Sequence, residues 1–424
     1  MSGTTRSTTR RRSEGSVIKR GSRYTVLLSV PGTDGKRKRT WHSGFATKRE
    51  AEQALRQLLA AADRGSYVDP SRLTVASFAE RFIDHMTTLE RDARTVEGYA
   101  ELLRNHVLPY LGGVRLQRLT PLHLSDLYAL LRREGHARLM QRRHEELRQA
   151  GKPIRKDSLP PGLSPRMVGH VHRAMHRMLK QAVRWELVSR NVASYLAEDL
   201  PSVPTRQMVT LTGEQAGALL RAAENRPLMR SLVLLGVATG ARLGELLALR
   251  WDHVDLEAGT LKIGWSRRVV NKRMEVKAPK TESGARTLVL GPATVAALKR
   301  LRAEQAGRRL ALGGSYHGED LVICKPDGQP YRPDSVSGMF RMFVDKAGLP
   351  KAVHVHTLRH SAASFQAAAG VPASDIAAQL GHKDGGALAL KVYVHPMAEG
   401  LARAGAVLDQ VVDAGGGGGG STAT

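Results

Sequence analysis

The stretch ATGARLGELLALRW, residues 238–251, combines a helix break with a charged residue directly behind it. The apolar run before it predicts a buried helix that ends at Gly240, because glycine readily adopts the left-handed conformation of a helix C-terminus. Arg242 then falls near the start of the next helix, where backbone N–H groups already favour an anion. Its planar guanidinium can hold two phosphate oxygens at once. We expect Glu245, one turn later, to orient Arg242 or cap the helix rather than act as a base.

Four more motifs carry polar residues that can act on a phosphate: PKTESGART with Lys280, HTLRH with His356 and Arg359, QLGH with His382, and KVYVHP with Tyr393. Two arginines, a lysine and two histidines can surround one phosphodiester with positive charge and hydrogen-bond donors. A tyrosine hydroxyl, with an ordinary pKa of about 10, is a weak nucleophile at neutral pH, so Tyr393 needs those cations nearby to attack phosphorus. The set predicts a site for DNA strand exchange.

The order and local sequence of these motifs resemble the tyrosine recombinase family, also called phage-type integrases, across roughly residues 75–410. The resemblance implies a site-specific enzyme that cleaves and rejoins DNA through a 3′-phosphotyrosine intermediate. It implies that Tyr393 is the nucleophile and that Lys280 protonates the departing 5′ oxygen. It implies that Arg242 and Arg359 stabilise charge on the nonbridging oxygens. It implies that His356 and His382 assist by hydrogen bonding or proton transfer. No metal, nucleotide or reducing cofactor is then required.

Two of these assignments have competitors or departures. Position in the PKTESGART motif favours Lys280 as the acid, but other lysines compete with it, namely Lys262, Lys272 and Lys277. The interval between His382 and Tyr393 is longer than the family commonly has, and two glycines replace the usual polar run after the QLGH motif. Those glycines are flexible enough to accommodate the extra length.

The HTLRH motif also has the HxxxH spacing of a metal site. A zinc hydrolase of the HExxH type carries a carboxylate between its two histidines, whereas Thr357 and Leu358 follow His356 here. We therefore expect no metal at this motif. His360 is expected to be a structural residue that packs near the helix carrying Arg359.

Composition points to a polyanionic partner. The chain has 65 lysines and arginines against 39 aspartates and glutamates, a formal net charge of +26, which favours nucleic acid or an anionic membrane surface. No apolar run approaches the roughly 18 residues of a membrane-spanning helix. The basic N-terminus lacks the apolar segment of a secretory signal, so we expect a cytoplasmic protein that acts on DNA without a membrane partner. The single cysteine, Cys324, excludes an internal disulfide and a multi-cysteine zinc site, and its strand-like surroundings favour a buried structural thiol.

The front of the chain predicts a small sheet packed on one helix. Residues 1–13 are expected to form a disordered basic tail. Residues 14–72 predict a strand over Tyr24–Val30, a turn in PGTDGK and a second strand in KRKRTWHSGF, followed by a helix that Thr47 and Glu50 cap.

This arrangement resembles the arm-type DNA-binding domain at the front of many integrases. The residues expected to contact DNA lie on the second strand and are Lys36, Arg37, Lys38, Arg39 and Trp41. A solvated basic hairpin without sequence readout is the alternative.

Residues 73–206 predict a helical domain that resembles the core-binding domain of the family. Ser77 is expected to cap its first helix, a loop is expected over residues 109–113, and residues 164–188 predict a long helix. The segment 139–165 departs from the family pattern. It predicts either an extended basic helix and loop near DNA or a solvated linker.

Three histidines of the 164–188 helix suggest a metal site at first sight, namely His170, His172 and His176. Their spacing includes no carboxylate or cysteine partner. We therefore expect them to belong to a basic surface that faces DNA.

Residues 207–412 predict the catalytic domain. The segments TLKIGWSRRVV and TLVLG predict strands that flank the turn carrying Lys280. The segment VPASDIAAQLGH predicts a helix capped by Ser374 and ended by Gly381. Residues 397–412 fit a helix that docks either on a neighbouring subunit, as the family implies, or on its own domain, and residues 413–424 are expected to form a flexible glycine-rich tail.

The expected fold class is an α+β multidomain protein. It joins an arm-binding domain of a small β-sheet and a helix, an all-α core-binding domain, and a mainly α catalytic domain with a small β-sheet. The expected function is integration and excision of a phage or integrative element. The expected partners are double-stranded DNA at core and arm sites, a homotetramer on that DNA, and an accessory directionality factor. The alternatives are a DNA-relaxing enzyme of the type IB kind and a catalytically silent DNA-binding regulator.

Overall fold

The computed structural model describes residues 15–31, 37–64, 67–151, 161–204, 208–278 and 285–381. Several sequence-based expectations lie outside these ranges: the tails at 1–13 and 413–424, the PGTDGK turn, the helix over 397–412, and the residues Lys36, Lys280, His382 and Tyr393. The chain divides after Pro204 into two compact units. Across the described ranges, no helix is both long enough and apolar enough to cross a membrane.

A three-stranded antiparallel sheet and one helix open the first unit. The strands, in the order β1-β2-β3, are β1 (Gly15–Arg20), β2 (Arg23–Pro31) and β3 (Arg37–Phe45), and the helix is α1 (Lys48–Asp63). The helix begins after Thr47, whose side chain forms the expected capping box with Glu50. Val26, Leu28 and Ala51 are fully buried where the helix packs on the sheet.

Strand β1 was not expected from the sequence. It pairs with β2 in register from Gly15 opposite Leu28 to Arg20 opposite Arg23. The tight turn between them depends on Gly21, whose φ of 59° lies in the left-handed region that favours glycine. The Gly21–Ser22 pair is a two-residue hairpin signal that the sequence reasoning missed, which is why one strand was predicted where two exist.

A helical bundle completes the first unit. Its helices are α2 (Val75–Thr88), α3 (Ala93–His106), α4 (Leu108–Leu111), α5 (Pro121–Gln149) and α6 (Pro165–Arg184), with short 3₁₀ helices at Leu116–Arg118 and Val192–Leu196. Phe78, Phe82, Leu131, Met175 and Met178 are buried together in its core. Phe78 and Phe82 on α2, and Met175 and Met178 on α6, recur at the four- and three-residue spacings of a buried helix face.

Two local expectations for this bundle need correction, and the helical alternative for the 139–165 segment fits the first part of that segment. Thr74, not Ser77, caps α2, because the Thr74 hydroxyl accepts a hydrogen bond from the backbone N–H of Ser77 at 3.2 Å. The segment expected to be a loop contains the short helix α4. Helix α5 continues through Gln149, so the first part of the 139–165 segment is helical, and residues 152–160 lie outside the described ranges.

The second unit is mainly helical. Its helices are α7 (Gly213–Ala222), α8 (Pro227–Thr239), α9 (Leu243–Leu246), α10 (Pro292–Leu312), α11 (Pro333–Lys346), α12 (Val355–Ala368) and α13 (Ala373–Leu380). Its strands are β4 (Val254–Asp255), β5 (Thr260–Ile263), β6 (Ser266–Val270), β7 (Arg273–Lys277) and β8 (Arg286–Val289). Leu232, Phe340 and Leu358 lie in the core that holds the helices together.

The strands of the second unit differ from the sequence-based expectation. TLKIGWSRRVV is not one strand but two, β5 and β6, and β5 pairs with β8 in the sheet β4-β5-β8. Strand β6 instead pairs with β7 as a separate hairpin, so residues expected to lie in the turn before Lys280 form a strand. Asn271 and Lys272, with φ of 47° and 64°, form the tight turn of that hairpin.

Helix α13 also begins differently from the expectation. Pro372 occupies its N-cap position, and the Ser374 hydroxyl donates to the Asp375 carboxylate at 3.2 Å instead of capping the helix. The helix does end at Gly381 as predicted, with φ of 67° in the left-handed region.

Candidate active site and basic surfaces

A helix break places Arg242 beside two other helices. Gly240 ends α8 in the left-handed conformation with φ of 62°. A Cβ atom on Gly240 would lie 2.6 Å from Leu380 Cδ2, so a larger residue would force the Leu380 side chain at the end of α13 to move. A Cβ atom on Gly236 would likewise lie 2.8 Å from Leu358 of α12. The break is thus fixed against both α12 and α13 by close packing.

Arg242 is held by a carboxylate one turn along the chain. Its backbone N–H donates to Glu245 Oε2 at 2.8 Å, and its Nη1 donates to Glu245 Oε1 at 3.0 Å. The Arg242 side chain is 47% exposed, whereas that of Glu245 is 10% exposed. The carboxylate therefore holds Arg242 by its backbone and by one guanidinium nitrogen, while about half of the side chain faces solvent, where an anion can approach.

Arg359 connects the two helix ends. It lies on α12, is 2% exposed, and donates from Nη1 to the Gly240 carbonyl at 2.8 Å and from Nη2 to the Leu380 carbonyl at 2.7 Å. Helix C-termini carry partial negative charge, so a guanidinium between two of them is electrostatically stabilised. Arg359 therefore contacts Gly240, which precedes Arg242 by two positions in the sequence. It also contacts Leu380, which precedes His382 by two positions.

His356 and His360 share one face of α12 with Arg359. Their ring centroids are 4.5 Å apart in an edge-to-face arrangement. His356 is exposed and His360 is half-buried. Within the described ranges, no group of three or more histidine, cysteine, aspartate or glutamate side chains is arranged to hold a metal ion.

Arg286 is a site residue that the sequence reasoning missed. It begins β8, its side chain is 8% exposed, and its Nη2 donates to Glu245 Oε2 at 2.9 Å while its Nε donates to the Gln379 carbonyl at 2.6 Å. The signal was present, because Arg286 is the second-last residue of the PKTESGART motif that was used to select Lys280. A buried arginine with two fixed acceptors is a structural part of the site.

The pKa of the Glu245 carboxyl lies below its usual range despite burial. Burial is the largest influence and raises this pKa, but the hydrogen bond and charge of Arg286, together with those of Arg242, lower it by more. Glu245 is therefore ionised at neutral pH. These contacts join two guanidiniums to one carboxylate, and Arg359 adds a third guanidinium at the ends of α8 and α13, so positive charge is in excess.

Three of the predicted site residues have no described position. Lys280, His382 and Tyr393 are outside the described residues, and Gly381 directly precedes His382. The lysines that compete with Lys280 are described: Lys262 lies on β5, Lys272 in the turn of the β6–β7 hairpin, and Lys277 at the end of β7.

Helix α6 carries a row of exposed cationic and imidazole side chains, which we call the α6 stripe: Arg166, His170, Arg173, Arg177, Lys180 and Arg184. No aspartate or glutamate occurs on this helix. Burial lowers the pKa of His170, and the positive charges of Arg173 and Arg166 lower it further. Such a surface fits the phosphates of a polyanion.

His172 does not belong to that surface. It is 6% exposed, and its Nδ1 lies 3.2 Å from the Tyr128 hydroxyl inside the bundle. The expectation that all three histidines of this helix face DNA is therefore wrong for His172. Its position falls on the buried face with Val168 and Met175, which the helical spacing could have shown.

Strand β3 divides its basic residues between two faces. One face carries every second residue of the strand, namely Arg37, Arg39 and Trp41. On this face the Arg20 guanidinium lies 4.5 Å from the centre of the Trp41 ring. Lys38 points to the other face and forms an ion pair with Asp69. The strand therefore presents a basic and aromatic face, and Lys38 is not part of it.

The single cysteine is partly buried. Burial raises the pKa of the Cys324 thiol, and Gln305 Nε2 lies 3.5 Å from its sulfur. A thiol with a raised pKa is a weaker nucleophile at neutral pH. This environment is consistent with a structural thiol.

Three protein-family descriptions match this chain. The phage integrase family matches residues 209–399. The arm DNA-binding domain matches residues 16–62, and the N-terminal SAM-like domain of phage integrases matches residues 74–131. The fold class expected from the sequence agrees with this order.

Individual proteins show the same likeness. An integrase of Streptomyces ambofaciens is 30% identical over 358 residues, which cover 82% of each chain. A XerC-like tyrosine recombinase of Caldanaerobacter subterraneus is 22% identical over 396 residues, covering 89% of this chain and 94% of the relative. The solved Tn1549 transposon integrase, in complex with transposon right end DNA, matches 80% of this chain and 100% of its own, with a TM-score of 0.62 at 18% identity. At that identity the structural likeness establishes the fold alone.

Proposed function

The chain belongs to the phage integrase family, and on that premise we propose that Tyr393 attacks a DNA phosphate held by Arg242 and Arg359. The protein is a site-specific tyrosine recombinase, an enzyme that breaks and rejoins DNA for a phage or an integrative element. The observation that carries the residue assignment is the pair of hydrogen bonds from Arg359 to the ends of α8 and α13.

The proposed reaction exchanges one phosphodiester for another. The Tyr393 hydroxyl oxygen attacks phosphorus as its proton passes to a histidine of the site or to water. The bond to the 5′ oxygen breaks, and Lys280 gives that oxygen a proton. The products are a 3′-phosphotyrosine and a free 5′ hydroxyl. Arg242 and Arg359 stabilise the charge that develops on the nonbridging oxygens, and His356 and His382 assist by hydrogen bonding or proton transfer. Because the phosphoester energy is conserved, the 5′ hydroxyl of a partner strand can reverse the step.

Strand exchange between two duplexes requires four cleaved strands, so we propose four protomers on the DNA. The tetramer belongs to the DNA-bound state in this proposal. An accessory directionality factor stays a prediction, since nothing in the described surfaces identifies its contact.

We test the proposal by recovering DNA covalently attached to the protein after expression beside the DNA it acts on. Denaturation removes DNA held only by noncovalent contacts, and sequencing of the remainder identifies the cleaved site. One recurrent sequence with a cleaved junction is expected. A catalytically silent DNA-binding regulator would leave no attached DNA, and a DNA-relaxing enzyme would leave attached DNA without a recurrent sequence.

The α6 stripe is proposed to contact DNA phosphates. Replacing Arg173 and Arg177 with alanine should flatten the slope of log affinity against log salt by about 0.9 for each lost contact. Gel shifts on the recovered site over several salt concentrations measure the slope. Arg94→Ala is the matched control, because Arg94 is an exposed cation of the same unit that pairs with Glu97 at 2.6 Å. A slope equal to wild type in the double variant would remove the α6 stripe from the interface.

Strand β3 is proposed to make a second DNA contact through its basic and aromatic face. Arg39→Ala should weaken binding to DNA that includes the flanks of the recovered site and flatten its salt slope by about 0.9. Lys38→Ala is the control, because Lys38 is the neighbouring cation, lies on the other face and pairs with Asp69. Binding to the short core site should be unchanged in both variants. Equal effects of the two variants on flanked DNA would contradict the proposed face.

A further inference from the structure

Arg286 contacts two different parts of the site at once. Its Nη2 donates to Glu245 Oε2 at 2.9 Å, and its Nε donates to the Gln379 carbonyl in the last turn of α13 at 2.6 Å. A Cβ atom on Gly381 would lie 3.1 Å from Arg286 Nη1, so the guanidinium also packs closely against the residue that ends α13. Arg286 thus joins β8, α9 and α13.

Glu245 is the carboxylate that Arg242 and Arg286 share. It donates nothing to either group and accepts from both, with Arg242 Nη1 at 3.0 Å and Arg286 Nη2 at 2.9 Å. Both Glu245 and Arg286 have side chains about one-tenth exposed or less, whereas the Arg242 side chain is 47% exposed. The buried pair is fixed, and the exposed arginine is the member of the trio that can reach a substrate.

The presence of Arg286 determines how strongly the Glu245 carboxylate holds Arg242. With Arg286 present, the negative charge of Glu245 is divided between two guanidiniums. Without Arg286, a buried carboxylate would have Arg242 as its remaining arginine partner, and an uncompensated buried charge is costly. That carboxylate would then compete with the DNA phosphate for Arg242.

We propose that Arg286 is a positioning residue for DNA cleavage: it engages the Glu245 carboxylate so that Arg242 is oriented but remains available to the scissile phosphate. This inference rests on the proposed function, because it takes Arg242 as a phosphate ligand. Arg286 itself does not touch the DNA. Its effect reaches the reaction through Glu245 and Arg242.

The test measures single-turnover cleavage of a nicked suicide duplex that carries the recovered site, at saturating DNA. Arg286→Met removes the charge and the hydrogen bonds to Glu245 and to the Gln379 carbonyl. The rate constant should fall about 100-fold, as expected when a catalytic group is misplaced by about 1 Å. DNA affinity should stay within about twofold of wild type, because the inference gives Arg286 no contact with the DNA. The amplitude of the reaction separately reports the fraction of folded, active protein.

Adding Glu245→Gln to Arg286→Met should raise the rate constant about tenfold above that of Arg286→Met alone, because the unshared charge on the carboxylate is gone. Arg230→Met is the matched control. It breaks a two-bond pair with Glu304, at 2.8 and 2.7 Å, in the same unit, and should cleave at the wild-type rate. A structural role alone would lower the amplitude and leave the rate constant unchanged.

If Arg286→Met does not fold, Arg286→Lys decides the question. One ammonium group cannot reproduce both contacts of the guanidinium fork, so the rate constant should fall about tenfold, at unchanged DNA affinity. A wild-type rate constant in the folded Arg286 variant, or a double variant no faster than Arg286→Met, overturns the inference. The absence of a covalent complex with the wild-type protein would instead overturn the proposed function, and the inference with it.

Discussion

Tyr393→Phe is expected to abolish covalent attachment to DNA, with a fall in the cleavage rate constant of at least about 10⁴-fold. The substitution removes the single oxygen that forms the bond to phosphorus. It removes no positive charge, so affinity for the duplex should stay within about twofold of wild type. Single-turnover cleavage of the suicide duplex measures the first quantity, and gel shifts at fixed salt measure the second.

Tyr331→Phe is the matched control for this experiment. Tyr331 packs against the core of the second unit, and burial raises the pKa of its hydroxyl. The Tyr331→Phe variant should therefore cleave DNA at the rate of the wild-type protein. Undiminished cleavage by Tyr393→Phe would assign the nucleophile to another residue. Loss of DNA binding by the same variant would show that the substitution disturbs more than the chemistry.

Lys280→Ala is expected to slow cleavage of ordinary DNA about 10³-fold, the size of effect that general acid catalysis contributes. The proposed proton goes to the departing 5′ oxygen. A substrate with sulfur in place of that bridging oxygen has a better leaving group that needs no acid. The variant should therefore cleave the sulfur substrate within about tenfold of the wild-type rate.

The competing lysines provide controls of identical chemistry. Lys262→Ala, Lys272→Ala and Lys277→Ala should each cleave ordinary DNA at close to the wild-type rate and gain nothing from sulfur. If sulfur rescues one of these variants and does not rescue Lys280→Ala, that lysine is the acid. The comparison thus selects one lysine from four by the same measurement.

Local signals in the sequence predicted the elements whose causes are themselves local. Thr47 and Glu50 form their capping box, and Gly240 and Gly381 end α8 and α13 in the left-handed conformation. Each of these depends on a few neighbouring residues and on backbone preference. The start of α9 directly after Arg242 follows from the break at Gly240 for the same reason.

Features set by long-range contacts could not be predicted in this way. The contact between Arg286 and the Gln379 carbonyl joins residues far apart in sequence, and no local pattern specifies it. The pairing of β5 with β8 is likewise a long-range choice, which left the β6–β7 hairpin unpredicted. His172 is a different case, because the spacing along α6 does place it on the buried face.

The most direct test of the central claim is to identify the amino acid that carries the DNA. The wild-type protein is trapped on the suicide duplex, the complex is digested with protease and nuclease, and the peptide retaining a nucleotide is sequenced by mass spectrometry. We predict one modified peptide, with the nucleotide joined through its 3′ phosphate to Tyr393. A nucleotide joined to any other residue, or attached through a 5′ phosphate, would contradict the account.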